Sequence, residues 1–213
     1  MNIGRLHVLT DTTLQSRYSH IELAEMCIAG GADTIQYREK WSATREMINI
    51  ASEMKRICKR AGVALIVNDR IDVALASNAD GVHLGQDDFP IPLARKLMGK
   101  ERIIGGSSSH EGEVQECLTQ GTDYVGFGPV FPTTSKDDAG PVSGMRELRD
   151  VVQMADVPII AIGGVGPENV EKVMKTGAYG IAVISAVCCQ ADPEEATRIL
   201  WEQIQRTLEV KNE

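Results

Sequence analysis

Gly121-Thr-Asp-Tyr-Val-Gly-Phe-Gly-Pro-Val-Phe-Pro-Thr-Thr-Ser-Lys136 holds in one segment the pattern by which the whole chain is organised. Gly121-Thr-Asp123 reads as a turn. Tyr124, Val125 and Phe127 then favour a strand, while Gly126 and Gly128 carry no side chain to hold off a close neighbour. Pro129 and Pro132 each lack a backbone donor, so regular structure stops there. The hydroxyls of Thr133, Thr134 and Ser135 follow, and Lys136 closes the run. A strand that opens into hydroxyls and an ammonium suits an anion, a phosphate above others. A polar surface turn is the plainer alternative.

Outward from this segment the same turn recurs as Gly31-Ala-Asp33, Asn78-Ala-Asp80 and Gly177-Ala-Tyr179. Short apolar runs fit strands at Leu6–Leu9, Thr34–Tyr37, Ala64–Val67, Gly81–Leu84, Arg102–Gly105, Tyr124–Phe127, Pro158–Ile162 and Gly180–Ile184. Helical patterns lie between them, for example His20–Ala29, Ala43–Arg60, Glu111–Thr119, Gly144–Gln153, Pro167–Lys175 and Pro193–Val210. Pro167 and Pro193 read as first-turn prolines. Gly30, Gly31, Gly62, Gly121 and Gly177 read as helix stops. Eight strand–helix units in 213 residues give the α/β class and a (β/α)8 TIM barrel, one domain spanning residues 1–213. An open doubly wound sheet is the structural competitor, although such sheets more often have fewer strands.

In a barrel of this kind the active site lies at the C-terminal ends of the strands. The polar residues fall there: Gln36-Tyr-Arg-Glu-Lys40, Asn68-Asp69, Gly85-Gln-Asp-Asp88, Ser107-Ser-Ser109, the hydroxyl–lysine run, Gly163-Gly164 and Ser185. Arg38, Lys40 and Lys136 suit phosphate oxygens. Asp69 and Asp88 on adjacent strands suit a magnesium ion bridging to substrate phosphates, with a general acid–base pair as the alternative. Gly163-Gly164 and Ala182-Val-Ile-Ser185 suggest a second anion site. His83 reads as a satisfied core histidine and His110 as polar lining. No Cys–His or Ser–His nucleophile arrangement stands out.

The net charge of −8 and pI near 5.1 argue against nucleic acid or an acidic membrane as partner, but not against an anionic small molecule. Neither a signal peptide nor a membrane-length apolar stretch is evident. The five cysteines, without CxxC spacing, fit reduced thiols in a cytoplasmic protein better than disulfides or zinc. The oligomeric state stays open, a homo-oligomer included.

Taken in order, Gln36 through Lys40, Val67-Asn-Asp69, Gly81 through Asp88, Gly128 through Thr133 with Lys136, and Ala161-Ile-Gly-Gly164 resemble the thiamine-phosphate synthase family, and the resemblance runs from Leu6 to about Leu208. It implies a barrel that joins hydroxymethylpyrimidine diphosphate to a thiazole phosphate, often carboxylated, with release of pyrophosphate. It further implies that Gln36, Tyr37, Arg38, Glu39, Lys40, Asn68, Ser108 and Lys136 contact the pyrimidine diphosphate. Among these, Arg38, Lys40, Lys136 and Ser108 would serve catalysis. Asp69 and Asp88 would hold Mg2+, and Thr133, Thr134, Ser135, Gly164, Ile184 and Ser185 the thiazole phosphate. Ser135 stands where the family commonly has threonine. The rivals are a thiazole tautomerase of the same fold, which carries a histidine where this chain has Pro129, and a barrel that binds phosphorylated ligands without catalysis.

Overall fold

A computed structural model describes residues 3–135 and 140–211. Among them the order of strands and helices is β1 (Leu6–Thr10), α1 (His20–Ala29), β2 (Thr34–Tyr37), α2 (Thr44–Ala61), β3 (Ala64–Asn68), α3 (Ile71–Ala76), β4 (Gly81–Leu84) and α4 (Ile91–Met98). It continues with β5 (Ile103–Ser108), α5 (Glu111–Gln120), β6 (Tyr124–Phe127), α6 (Gly144–Met154), β7 (Ile159–Ile162), α7 (Val170–Lys175), β8 (Gly180–Val183), α8 (Ser185–Cys188) and α9 (Pro193–Lys211). Every strand pairs in parallel with its neighbours in sequence, and β8 returns to β1 through Leu6 opposite Ile181, so the sheet closes into a (β/α)8 barrel. No helix of the described residues is long and apolar enough to cross a membrane.

Strands buried on both faces read as continuous apolar runs because each face has its own core. Outside the barrel wall, Val8, Ile35, Leu65, Val82, Ile104 and Val125 meet the helices in one large cluster. Helix α2 contributes Met47, Ala51, Met54 and Cys58, all within 1% exposure, at the three- and four-residue steps that keep one stripe inward. Each such side chain contributes about 1.5–3 kcal/mol on burial, less for alanine. Inside the barrel the core is much smaller: Ile66, Ile103, Tyr124 and Ile160. Gly105 is needed there, since a Cβ on it would sit 2.2 Å from the Tyr124 ring. Filling the lower barrel with few but bulky groups leaves its upper mouth open.

The recurring turn is a clamp at the lower face. Asp33 accepts from the N–H groups of Arg5 and Leu6 at 2.9 and 2.8 Å, Asp80 from Leu65 N–H at 2.8 Å, and Asp123 from Ile104 N–H at 2.7 Å. Each aspartate stands just before an even-numbered strand and ties down the start of the preceding odd one. Lys55 and Arg95 pair with Asp80 and Asp123. In the fourth copy Tyr179 replaces aspartate, and its hydroxyl donates to Ile3 O at 3.0 Å.

Boundaries differ from the sequence reading in small ways. β1, β3 and β5 run further towards the upper rim, β5 through Ser108. Pro193 does open α9, but Pro167 lies in the turn before α7, which starts at Val170 after Asn169. The Asn169 side chain accepts from Gly166 N–H and donates to Gly164 O, so that turn is held by its own side-chain bonds and not by a first helical turn.

Candidate functional site

A cavity of about 440 Å³ opens at the C-terminal ends of the strands. Alternation decides what faces it. On β2 and the residues after it, Gln36, Arg38 and Lys40 line the cavity. The odd neighbours do not: Tyr37 is fully buried in the outer core, with its ring edge-on to His20 at 4.7 Å, and Glu39 turns away from the mouth. Glu39 accepts from Trp41 and Ser42 N–H at 2.7 and 3.2 Å and approaches His20 Nε2 at 3.3 Å. Those bonds shape the loop that carries Lys40. Burial pushes the His20 imidazole below its ordinary pKa, with Glu39 opposing.

Asn68 and Asp69 line the same cavity from β3, and Asp88 from the turn after β4. Asp69 takes a left-handed backbone, φ 63°, which turns the chain sharply at the strand end; aspartate tolerates it better than most residues. Its N–H donates to His83 O at 2.9 Å, so the two neighbouring strand ends are fastened together. Asp88 Oδ2 accepts from Gly85 N–H at 2.6 Å, leaving Oδ1 outside that bond. The three serines at the end of β5 all line the cavity and differ in their partners. Ser107 Oγ meets His83 Nε2 at 2.8 Å, Ser108 lines the cavity at 3% exposure, and Ser109 donates to Glu113 through both N–H and hydroxyl. His110 caps α5 by accepting from Glu113 N–H and does not line the cavity.

Across the mouth, Thr133, Ser135, Gly164, Ile184 and Ser185 complete the lining, while Thr134 is exposed and outside it. Lys136 falls outside the described residues. The loop after β6 is held as an extra length of ladder along β7: Val130 N–H donates to Ile162 O at 2.9 Å and Phe131 N–H to Gly163 O at 3.1 Å. Gly163 and Gly164, φ 80° and 66°, permit it; a Cβ would stand 2.5 Å from Pro129 Cβ on the first and 2.6 Å from Pro132 O on the second. That close approach brings Ser135 Oγ to 2.9 Å from Ser185 Oγ.

Several lining groups escaped the sequence reading as site residues, three of them polar rings. His7, His83 and Tyr124 form the cavity floor. Tyr124 Oη lies 2.8 Å from His83 Nδ1, and its ring meets His7 edge-on at 5.4 Å. Burial drives the His7 imidazole down to about 4, a little offset by the Gly4 carbonyl 2.9 Å from Nε2. Gln86, from the rim stretch Gly85-Gln-Asp-Asp88, lines the cavity too and donates to Ser107 O at 2.6 Å. No motif in the sequence pointed to the floor, because a histidine inside a strand reads equally well as core.

The cavity therefore has a cationic and carboxylate side on β2 to β4, a hydroxyl and glycine side on β6 to β8, and aliphatic side chains as well. A family model described as thiamine monophosphate synthase matches residues 6–187. The thiamine-phosphate synthase of Salinibacter ruber is 49% identical over 196 residues, 92% of this chain and 86% of that protein. That of Methanocella arvoryzae is 49% identical over 195 residues, 92% of each. Among solved structures, thiamine phosphate pyrophosphorylase from Pyrococcus furiosus superposes with a TM-score of 0.88 at 39% identity over 96% of each chain. A 3-hexulose-6-phosphate synthase, TM-score 0.68 at 18% identity, shares the fold alone.

Proposed function

This chain belongs to the thiamine monophosphate synthase family and is a transferase of thiamine biosynthesis; from that premise we propose how its residues divide the reaction. The substrates are 4-amino-5-hydroxymethyl-2-methylpyrimidine diphosphate and a (carboxy)thiazole phosphate, and the products thiamine phosphate and pyrophosphate. The carrying observation is that one cavity has two unlike anion-holding sides, Arg38, Lys40, Asp69 and Asp88 against Thr133, Ser135, Gly164 and Ser185.

The pyrimidine diphosphate lies on the first side. Gln36 Oε1 is buried without a partner, an acceptor free for a ligand donor such as the pyrimidine amino group. Arg38, Lys40 and Ser108 donate to the diphosphate, joined by Lys136 from the sequence pattern, and Asn68 lies beside them. Among the described residues no three His, Cys, Asp or Glu side chains gather as a metal cage. Two carboxylates with one oxygen of Asp88 already taken suit Mg2+, which completes its shell with water and substrate phosphate. When bound there it would neutralise charge on the diphosphate oxygens.

Departure of pyrophosphate leaves a pyrimidine-methyl cation, and Arg38, Lys40 and Lys136 stabilise the charge that gathers on the leaving oxygens. The thiazole nitrogen captures the cation, so no protein nucleophile is required. Leu9, Ile160, Ile162 and Ala182 also line the cavity and keep water from a cation it would otherwise trap. Thr133, Ser135, Gly164, Ile184 and Ser185 hold the thiazole phosphate in line, a contribution of positioning. The free thiols of Cys27, Cys58, Cys117 and Cys188, all buried, suit a reducing compartment, the cytoplasm.

The test is pyrophosphate release from the two substrates with and without Mg2+. Magnesium-dependent release in step with thiamine phosphate supports the assignment. No release, as from a thiazole tautomerase or a pure binding barrel, overturns it.

A further inference from the structure

Thr10 and Tyr37 face each other in the β1–β2 ladder, and the next residue on each strand is charged: Asp11 and Arg38. Their side chains pair through Arg38 Nη1 and Asp11 Oδ2, at 8% and 1% exposure. Arg38 lines the cavity, whereas Asp11 stands behind it and does not. The second oxygen of the carboxylate is fixed as well, since Asp11 Oδ1 accepts from Thr13 N–H at 2.8 Å and Leu14 N–H at 3.0 Å. Gln15 reinforces the same turn by donating to Asp11 O at 3.2 Å. A carboxylate so fastened is a rigid post, and the guanidinium leans on it by one nitrogen. The Arg38 Nε is buried without a partner, so the guanidinium retains donor capacity for an anion.

We infer that Asp11 is a positioning residue for the reaction: it fixes Arg38 in the orientation that meets the departing pyrophosphate. The inference rests on the assignment of Arg38 to the diphosphate. A free arginine side chain samples many rotamers, and substrate would have to order it; a guanidinium already anchored along one edge carries that ordering before substrate arrives. Orientation matters because the charge to be met develops only as the bond breaks, and a misplacement of about 1 Å can cost as much as 10²-fold in rate. A cap of the turn alone would need only Oδ1. The second oxygen, aimed at Arg38, is what a turn cap does not require.

Asp11→Asn keeps the shape and the acceptor for Thr13 and Leu14 while removing the charge. Steady-state kinetics with each substrate varied in turn, on wild type, Asp11→Asn, Arg38→Ala and the double variant, separates the readings. The expected result is a kcat about 10- to 100-fold lower for Asp11→Asn, with KM for the thiazole phosphate within about twofold. In the Arg38→Ala background the same change should alter kcat by less than about twofold, because an effect routed through Arg38 disappears with it. Wild-type kcat in Asp11→Asn, or an equal loss in both backgrounds, overturns the inference. If Asp11→Asn does not fold, Asp11→Glu keeps the charge and moves it by one methylene; a lowered kcat only where Arg38 is present is expected, and a normal kcat overturns the inference. Unchanged kinetics in Arg38→Ala would instead overturn the assignment of Arg38, and the role of Asp11 with it.

Discussion

Ser135 and Ser185, 50 residues apart in the chain, meet hydroxyl to hydroxyl at 2.9 Å across the seam between the loop after β6 and the end of β8. Each must be donor or acceptor to the other when no ligand lies there. A phosphate in the same place would take both hydroxyls as donors. Since the thiazole phosphate undergoes no bond change, such contacts are equal in ground and transition states and act on affinity. Ser185→Ala should raise KM for the thiazole phosphate by about tenfold with kcat within about threefold. Initial rates over a range of thiazole phosphate decide it; a collapse of kcat at saturation would place Ser185 on the wrong side of the reaction.

The carboxylate pair makes the opposite demand. Asp69→Ala and Asp88→Ala should each lower kcat by about 10²-fold or more and raise the Mg2+ concentration needed for half-maximal rate. Asp87, which lines the cavity too but is not assigned to the ion, should lose less than about fivefold as Ala. A magnesium titration of each variant, with circular dichroism to confirm folding, is the measurement. Equal losses at positions 87 and 88 would show that general negative charge matters there and a metal site does not.

His7 links stability to pH. Its folded pKa is depressed from 6.5 to about 4 by burial, so below about 6.5 the unfolded chain takes up a proton that the folded one refuses. Stability is then lost as pH falls from about 6.5 towards 4, by about 3 kcal/mol if the whole shift is expressed. Urea unfolding at pH 7 and pH 5 should show a smaller loss for His7→Gln than for wild type. An identical loss in both would mean that burial does not depress the His7 imidazole in the native protein.

Asp80 carries a purely structural prediction. It is 8% exposed, accepts Leu65 N–H at 2.8 Å and pairs with Lys55. Asp80→Ala leaves both donors without their carboxylate and should cost about 2–4 kcal/mol, while kcat of the folded fraction stays within about twofold because the clamp is at the face opposite the cavity. Thermal unfolding beside steady-state rates would test that separation.

The barrel was legible because the strands are short and mostly apolar, and a recurring Gly/Asn-x-Asp/Tyr turn precedes each even-numbered one, so the count survived errors of a residue or two at the ends. Those errors have a cause: Asn68 and Ser107-Ser108 are polar strand ends that look like loop. The side of the cavity on β2 was legible at Gln36, Arg38 and Lys40, where alternation and chemistry agree. Tyr37 and Glu39 entered through the resemblance as a contiguous stretch, and alternation sends both to the other face. Asp11 was illegible because Thr10-Asp-Thr-Thr13 is an ordinary turn opening, and its partner lies 27 residues away. His83 and Tyr124 looked like core, which they are, and the cavity reaches down to them.

The pairing of Leu6 with Ile181 has a consequence for the making of the protein. Every other strand pair joins neighbours in sequence, so β1 to β7 can pair one after another as the chain leaves the ribosome. Until Gly180–Val183 arrives, that curved sheet has two raw edges, β1 and β7, each with unsatisfied backbone groups that another chain could copy. A chain cut short before Gly180 would therefore yield more than an inactive fragment. It would yield one with two open sheet edges on which another chain can pair.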